Sequence, residues 1–216
     1  MGQINNPASK STGNQNLISG LSQENLGDFT WMNVPDMYLF SPEGLSIETS
    51  QGTDFFNNPE NGEKVATAPY LYQELAGDFV AIAKVKPNFQ ATWNACSLLA
   101  YIDENNWIKF AFENSDATGP SIVSVVTRGV SDDANGVVLA SYSQVWLKFI
   151  RKGNLYAMHW STDGINYKMS RLSAMPDHKK VRIGMEAQCP SEGPAIHSFL
   201  SFSLERNSIE DLRKGE

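Results

Sequence analysis

Three side chains that alternate along one predicted strand form the pattern in the chain that best suits ligand chemistry. The run 106–113 places Trp107, Lys109 and Glu113 on one face, because strand side chains alternate between two faces. Lys109 and Glu113 are four residues apart, roughly 13 Å at about 3.3 Å per residue, so they cannot pair directly. An aromatic ring beside polar groups suits a sugar, which has apolar C–H faces and hydroxyl groups. The pattern therefore predicts either a sugar-binding face with Trp107 at its mouth, or an ordinary solvent-facing Lys and Glu beside a strand-end Trp.

A further carboxylate, Glu186, raises the question of glycoside hydrolysis. Hydrolases use two carboxylates about 5–5.5 Å apart when they retain configuration, or about 6.5–9.5 Å apart when they invert it. Glu113 and Glu186 lie on different predicted strands, and the chain contains no Glu-x-Asp run of the kind that groove glucanases place on one strand. If the two carboxyls share an open groove, hydrolysis becomes the leading function, and otherwise each is an ordinary surface carboxylate.

A polysaccharide lyase is the other catalytic alternative. It needs a base, for which Lys109 or Tyr101 would serve. It also needs a cation to hold the carboxylate of a uronate, for which Arg128 and Arg182 are candidates. Because neither catalytic set is complete, we expect binding rather than catalysis and assign no catalytic residue.

Two more candidates come from their positions along the chain. Asp54, followed by Phe55 and Phe56, lies in a loop rich in Gly, Asn and Pro, and loops that border a groove commonly carry function. An inward-folded loop anchored by two Phe side chains explains the same run. Tyr101 lies on the run 95–102, which is apolar on both faces and therefore predicts a strand covered on both sides or lining a groove. The predicted ligand-binding residues are Trp107, Lys109, Glu113, Tyr101, Asp54 and Glu186.

Nothing in the sequence has the spacing of a metal or cofactor site. His159, His178 and His197 lie far apart, with no acid or Cys at ligand spacing. Cys96 and Cys189 each lie within an apolar run, which predicts two buried thiols or else one long-range disulfide. The chain has no glycine-rich phosphate loop and no dinucleotide motif. We therefore expect no metal and no cofactor.

The charge of the chain argues against two classes of partner. Among 216 residues, 24 are acidic and 17 are basic, which gives a formal net charge of -7. Nucleic acids and anionic membranes are bound by clustered Lys and Arg, and the longest such cluster is Lys179-Lys180. No run approaches the roughly 20 apolar residues that span a bilayer. Since the first residues lack a basic segment followed by an apolar one, we expect a cytoplasmic protein.

The elements that must position these side chains are short β-strands. Runs rich in β-branched and aromatic residues recur between clusters of Gly, Asn, Asp and Pro, which is typical of an antiparallel all-β sandwich or barrel. We expect strands near 30–34, 37–40, 45–49, 79–86, 95–102, 106–113, 121–128, 145–152, 155–161, 166–172, 180–188 and 195–205. The polar stretch 1–28 predicts a flexible N-terminal arm, residues 29–206 the sandwich, and residues 207–216 a short helical tail that begins at a capping box from Ser208 to Asp211.

Alternation assigns the faces of two of these strands. In 106–113, the apolar side chains at 108, 110 and 112 predict the core face, opposite Trp107, Lys109 and Glu113. In 181–189, Val181, Ile183, Met185, Ala187 and Cys189 oppose Arg182, Gly184, Glu186 and Gln188. We expect the polar set of that strand to face solvent.

The order of several motifs over residues 29–205 resembles the regulation-of-enolase family. The motifs are Trp31 with Pro35, Thr53–Phe56, Trp107–Glu113, Ser124–Thr127 with Ser131-Asp132, Trp146–Arg151, Ser161–Gly164 with Tyr167 and Arg171, and Ile183-Gly184 to Pro190. The resemblance implies a concanavalin A-like jelly roll, the two-sheet sandwich of legume lectins and several glucanases. The family tends to carry Asp-Gln-Ala-Gly-Leu where this chain has 94–98 as Asn-Ala-Cys-Ser-Leu, and Trp where it has Asp133. A site that depends on those family side chains is therefore not expected here.

Fold and residues together favour a non-catalytic module that binds a glycan or polyol in a groove on one sheet. Two alternatives stay open. One is an intracellular regulatory or interaction protein of carbohydrate metabolism, with residues 1–28 folding on a protein partner. The other is a hydrolase or lyase that cleaves glycans.

Overall fold

The structure, a computed structural model, describes residues 15–207 and 209–216 and consists of short β-strands joined by turns and loops. The strands of the described residues are β1 Thr30–Met32, β2 Tyr38–Ser41, β3 Gly44–Thr49, β4 Phe55–Asn57, β5 Lys64–Ala66, β6 Tyr70–Ala76, β7 Phe79–Lys86, β8 Ala95–Asp103, β9 Asn106–Ser115, β10 Gly119–Arg128, β11 Val130–Val138, β12 Val145–Lys152, β13 Leu155–Ser161, β14 Lys168–Ala174, β15 Lys180–Gln188 and β16 Ala195–Glu205. No helix of the described residues is long and apolar enough to cross a membrane.

Fourteen of these strands form two antiparallel seven-stranded sheets. The first sheet has the order β1-β6-β15-β8-β9-β10-β11, and the second has the order β14-β13-β12-β7-β16-β3-β2. The core lies between them, where Phe110 and Phe112 of the first sheet join one apolar cluster with Phe149 and Phe199 of the second. The antiparallel jelly-roll sandwich predicted from the sequence is confirmed.

The sequence analysis did not predict four of the strands, namely β4, β5, β6 and β11. Strand β6 lies between β1 and β15, and its alternation is obscured because the polar Gln73 is buried on the core side. Strand β11 contains Asp132, Asp133 and Asn135, residue types that are depleted in strands. It forms because it pairs along its length with β10 at the edge of the first sheet.

The described part of the N-terminal segment packs on the sandwich. The Leu17 amide donates a hydrogen bond to the Phe202 carbonyl at 2.7 Å, and Ile18 is buried in the main core. Leu21 and Leu26 pack against the same cluster. The flexible arm predicted for residues 1–28 therefore stays a prediction only for residues 1–14, which lie outside the described residues.

The predicted C-terminal helix is absent from residues 209–216, which form turns, and Ser208 of the predicted capping box lies outside the described residues. The Asp211 side chain accepts hydrogen bonds from the amides of Arg213 and Lys214, so it caps a local turn. Eight residues are too few to sustain an isolated helix, and contacts with the sandwich decide the conformation instead. Lys148 donates to the Gly215 carbonyl at 2.6 Å.

A segment between β3 and β6 covers the outer face of the first sheet. This covering segment, residues 53–69, contains the hairpin of β4 and β5. Thr53 forms an isolated bridge with Cys189, and the side-chain amide of Asn57 donates to the carbonyls of Glu104 and Gly129, each at 3.0 Å. Its Phe55 joins a second apolar cluster on that face. Strand β8 is consequently covered on both faces, which explains its apolar pattern.

Candidate functional site

Lys109 of β9 lies beneath the covering segment with its charge fully paired. Its ammonium donates to a carboxylate oxygen of Asp54 at 2.9 Å, to the Phe55 carbonyl at 2.9 Å and to the side-chain oxygen of Gln188 at 2.5 Å. An ammonium has three N–H donors, so this set uses all of them. Burial lowers the pKa of Lys109, but the carboxylates of Asp54, Glu186 and Glu113 outweigh that effect, and the pKa is raised overall. The structure thus brings two of the predicted site residues, Asp54 and Lys109, into direct contact.

Glu113 lies on the same face of β9, opposite Ala95 of β8, which in turn pairs with Gln188 of β15. Glu113 is 7% exposed, and one of its carboxyl oxygens accepts a hydrogen bond of 3.5 Å from the Gln188 side-chain amide. Burial raises the pKa of Glu113 to about 8, although Lys109 opposes the shift. Burial therefore favours the protonated form of this carboxyl, because an unpaired buried charge is costly.

Glu186 is fully buried and does not face solvent, which corrects the expectation for the polar set of its strand. The Ser97 hydroxyl donates to one of its carboxyl oxygens, and the other oxygen has no hydrogen-bond partner within the described residues. Burial raises its pKa to about 7. The alternation was assigned correctly, but the covering segment removes this face from water. A face opposite the main core is exposed only when no other element packs on it.

Trp107 and Tyr101 are also covered, so neither presents an open ring to a ligand. Trp107 is 1% exposed, and the Phe55 ring lies 6.1 Å from both the Trp107 and the Tyr101 rings, centroid to centroid, in edge-on geometry. Arg182 stacks over Tyr101 at 5.6 Å. The expectation of Trp107 at the mouth of a groove is wrong, because Phe55 fills the space in front of it.

An open cavity of about 590 Å³ remains between the covering segment and strands β9 to β11. This volume is within the range of small-molecule sites, about 300–1,000 Å³. The cavity is lined by five acidic side chains, one lysine, several amides and two aromatic rings: Asp54, Glu60, Glu113, Asp116, Asp133, Lys109, Asn58, Asn135, Gln188, Phe56 and Trp93, with Pro59, Ser115, Val123, Val125 and Pro190. Of the predicted site residues, Asp54, Lys109 and Glu113 meet here, whereas Trp107, Tyr101 and Glu186 do not line it.

Trp93 is the functional candidate that sequence reasoning missed. It is 41% exposed, lines this cavity and has a φ of 64°, a left-handed backbone conformation that bulky residues rarely adopt. Its amide donates to the Asn114 carbonyl at 2.7 Å, and its carbonyl accepts from the Gln188 side chain at 3.0 Å. The sequence did offer one sign of it, because a Trp in a polar turn outside any predicted strand is unusual.

Other polar residues considered from the sequence lie away from this cavity. Arg128 donates to the Ala174 carbonyl at 3.1 Å, and Arg182 stacks on Tyr101, so neither lines the cavity as a uronate clamp. Within residues 15–207 and 209–216, no group of three or more His, Cys, Asp or Glu side chains has the arrangement of a metal site. Cys96 and Cys189 are both free and buried, which rules out the disulfide between them.

A second depression of about 750 Å³ lies against the C-terminal tail. Its lining includes Lys152, Asp211, Arg213 and Glu216 but no aromatic side chain. The cavity at Trp93 is the better candidate for recognition, because it combines an exposed ring with polar groups held by several strands.

Residues 31–207 match the family described as protein of unknown function (DUF1349). The chain belongs to this family. It is also 25% identical over 179 residues to Regulation of enolase protein 1 of Saccharomyces cerevisiae, covering 83% of this chain and 90% of the yeast protein. The resemblance predicted from the order of motifs is therefore confirmed.

Solved structures agree with the fold. A functionally unknown protein from Saccharomyces cerevisiae superposes with a TM-score of 0.77 at 24% identity, covering 83% of this chain and 97% of that one. The carbohydrate-binding module CBM66 from Bacillus subtilis superposes with a TM-score of 0.55 at 12% identity, covering 81% of this chain and 94% of the module. At these identities the likeness establishes the jelly-roll sandwich and nothing about the ligand.

Proposed function

We propose that the chain is a non-catalytic module that binds a glycan or polyol in the cavity between the covering segment and strands β9 to β11. The proposal keeps the ligand class expected from the sequence but moves the aromatic contact from Trp107 to Trp93. Asp54 and Lys109 then organise the wall of the cavity rather than contact the ligand through a free charge.

Trp93 is the observation that carries the proposal. Its exposed ring lies beside Glu113, Asn135 and Gln188 on the cavity lining, which together supply donors and acceptors for hydroxyl groups. The unfavourable backbone conformation of Trp93 costs on the order of 1–3 kcal/mol, and such strain clusters at ligand sites. The CBM66 module, which has the same sandwich architecture, is named for carbohydrate binding and provides secondary support.

A catalytic role has less support from the same geometry. Glu186 is sealed beneath the covering segment and does not line the cavity that Glu113 reaches. The two carboxyls therefore cannot flank one glycosidic bond there, as hydrolysis requires. Incubation with β-glucans, xylans and uronate polymers tests this point, with Glu113→Gln as the control. Cleavage by the wild type that the variant loses would contradict the non-catalytic assignment.

The binding proposal is tested with a glycan array followed by isothermal titration of the saccharides that bind. We expect a dissociation constant below a few millimolar for at least one saccharide, weakened about fivefold or more by Trp93→Ala, because stacking on an aromatic ring contributes about 1 kcal/mol or more. Trp93→Phe keeps an aromatic face and should retain most of the affinity.

Tyr142→Ala is the matched control for loss of a surface ring. Tyr142 is 43% exposed, much like Trp93, but does not line the cavity. Equal weakening by Trp93→Ala and Tyr142→Ala would show that the effect is not local. Absence of any saccharide binding by the folded wild type would refute the proposal.

A regulatory or interaction role is the second candidate, and the name of the yeast relative favours it. If it is correct, the immobilised full chain retains a stoichiometric protein from a lysate of its source cells, and purified enolase is the first partner to titrate. Trp93→Ala distinguishes the two candidates, because a protein partner that binds elsewhere on the chain would be retained by this variant.

A further inference from the structure

The charges around the cavity are unbalanced in a way that bears on the identity of the ligand. Lys109 is the only basic side chain on the lining, and its three donors are used by Asp54, Phe55 and Gln188. No N–H group of Lys109 is left for the carboxylate of an acidic sugar. An anionic ligand would therefore enter a site without an available cation, which is unfavourable.

Four carboxyls on the lining make no direct ion pair. Glu60, Glu113, Asp116 and Asp133 form no ion pair within the described part of the chain. Acidic side chains are common on protein surfaces, so exposed ones do not by themselves indicate a ligand site. Glu113 is different, because its side chain is more than nine-tenths buried and still borders the cavity.

Glu113 has an unpartnered oxygen at this position. One of its carboxyl oxygens has only the distant Gln188 amide at 3.5 Å, and the other makes no hydrogen bond to any described residue. This second oxygen is open to the cavity, where a donor group of a ligand can reach it. Two independent features, the unpartnered Glu113 oxygen and the exposed Trp93 ring, thus converge on the same cavity.

Resting on the function proposed above, we propose that this cavity selects a cationic amino sugar, a glycan unit with a free protonated amine. The sugar ring stacks on Trp93, its ammonium group donates to Glu113, and the carboxylate of Asp133 adds a longer-range charge attraction. Trp93 adds a cation–π attraction for the same ligand, since a cation over an indole face is favoured. Lys109 has no free N–H group with which to compete for the Glu113 carboxyl.

The strand register places Asp133 on the outer face that borders the cavity, in the row of Lys109 and four residues along β9 from the row of Glu113. Asp133 of β11 pairs with Val125 of β10, which pairs with Lys109 of β9, so the three residues form one row across the outer face of the sheet. Its neighbour Asp132 has the opposite orientation and forms an ion pair with Arg171 at 2.8 Å. The two adjacent aspartates therefore provide a cavity variant and a matched control.

The test compares trisaccharides that share a β-1,4-linked backbone and differ mainly in charge. They are the glucosamine trimer, its fully N-acetylated form and cellotriose, with trigalacturonic acid as the anionic ligand. They are titrated by calorimetry into the full chain at about pH 6 and low salt. We expect the glucosamine trimer to bind at least about tenfold more tightly than cellotriose, and trigalacturonic acid not to bind. The preference should shrink as salt is added, because screening weakens charge interactions.

Two aspartate variants test which carboxyl causes the preference for the amino sugar. Asp133→Asn should reduce the affinity ratio between the glucosamine trimer and cellotriose several-fold, whereas Asp132→Asn should leave that ratio unchanged. A ratio equal in wild type and Asp133→Asn would overturn the placement of the amine.

Proton release provides a readout that is independent of affinity. Glu113 faces Lys109 on its own strand, Asp54 of the covering segment, Glu186 of β15 and Asp133 of β11. An ammonium beside Glu113 lowers the pKa of its carboxyl, so titrations in two buffers with different ionisation enthalpies should reveal proton release that Glu113→Gln abolishes. No difference between the buffers would contradict contact between the amine and Glu113.

The outcomes separate this inference from the function on which it rests. Equal binding of cellotriose and the glucosamine trimer overturns the amine selectivity and leaves the glycan-binding module intact. If the chain binds spermidine but none of the sugars, both proposals are overturned, because a polyamine needs no sugar site. Absence of binding by every probe likewise overturns both.

Discussion

Replacing Glu113 with Gln should change the pH dependence of stability more than its value at any single pH. The folded chain holds the Glu113 carboxyl at a pKa of about 8, against an ordinary value of 4.5, chiefly because the group is buried. Between these values the folded state binds a proton that the unfolded state has released. The linkage relation then requires the free energy of unfolding to fall as pH rises through this interval.

The magnitude follows from the same interval. Each pH unit between 4.5 and 8 costs the wild type about 1.4 kcal/mol, and the whole interval at most about 5 kcal/mol. Small domains are stable by only about 5–15 kcal/mol, so this is a large share. Gln has nearly the same shape and cannot ionise. Glu113→Gln should therefore become more stable relative to wild type as pH rises from 4.5 to 8, and the difference should level off above that.

Urea unfolding at about pH 5, 6, 7 and 8, followed by tryptophan fluorescence, measures the difference between variant and wild type at each pH. Contributions from other titrating groups largely cancel in this difference. Glu63→Gln, an exposed carboxyl of the covering segment, controls for the loss of one carboxyl from the chain. A stability difference between Glu113→Gln and wild type that is the same at every pH would refute the reasoning, because Glu113 would then be ionised throughout.

Three further variants test the packing of the covered face and of the core. Trp107→Ala should destabilise the chain by about 3–5 kcal/mol in urea unfolding, because it empties a fully buried site beneath Phe55; a change below about 1 kcal/mol would mean that the ring is not packed. Asp54→Asn should cost about 3 kcal/mol by leaving the buried Lys109 charge without its carboxylate, whereas disrupting the exposed Lys180–Glu74 pair by Glu74→Gln should have no measurable effect. His197 is buried and its pKa is lowered to about 4, so between pH 6.5 and 4 the unfolded state binds a proton that the folded state does not. The free energy of unfolding should therefore fall by about 3 kcal/mol as pH drops from 6.5 to 4. His197→Gln should remove most of this fall in acid unfolding curves.

The sandwich could be predicted because the alternation of apolar and polar residues within most strands shows which face is buried. In β9 the core face alternates strictly with the polar face, and this period of two is a local property of the sequence. Strand β11 could not be predicted in this way, because Asp132, Asp133 and Asn135 indicate a loop. Its conformation depends on the hydrogen-bonded partner β10, and pairing between strands overrides a weak local preference.

The sequence predicted which face of β9 carries the candidate residues, but not whether that face is exposed to solvent. Lys109 and Glu113 share the outer face of one sheet, as their spacing indicates, whereas the place of Glu186 on the same face follows from strand pairing that its spacing does not reveal. That this face is buried depends on Phe55 and Asp54, whose position on it is a long-range contact with no local signal. Trp93 was missed for a related reason, because its left-handed backbone is held by hydrogen bonds to Asn114 and Gln188 rather than by its own segment.

The covering segment determines both the shape and the charge of the cavity. Phe55 closes one side of the outer face by packing on Trp107, which leaves the polar part of that face as a recess beside Trp93. Asp54 then neutralises Lys109, so the remaining carboxyls decide the charge of the recess. If Asp54 instead lost its charge and the chain stayed folded, the Lys109 ammonium would be the nearest cation to Glu113 and would favour its ionised form. The selectivity for an amine should weaken accordingly, because Glu113 would already have a cationic partner within the protein.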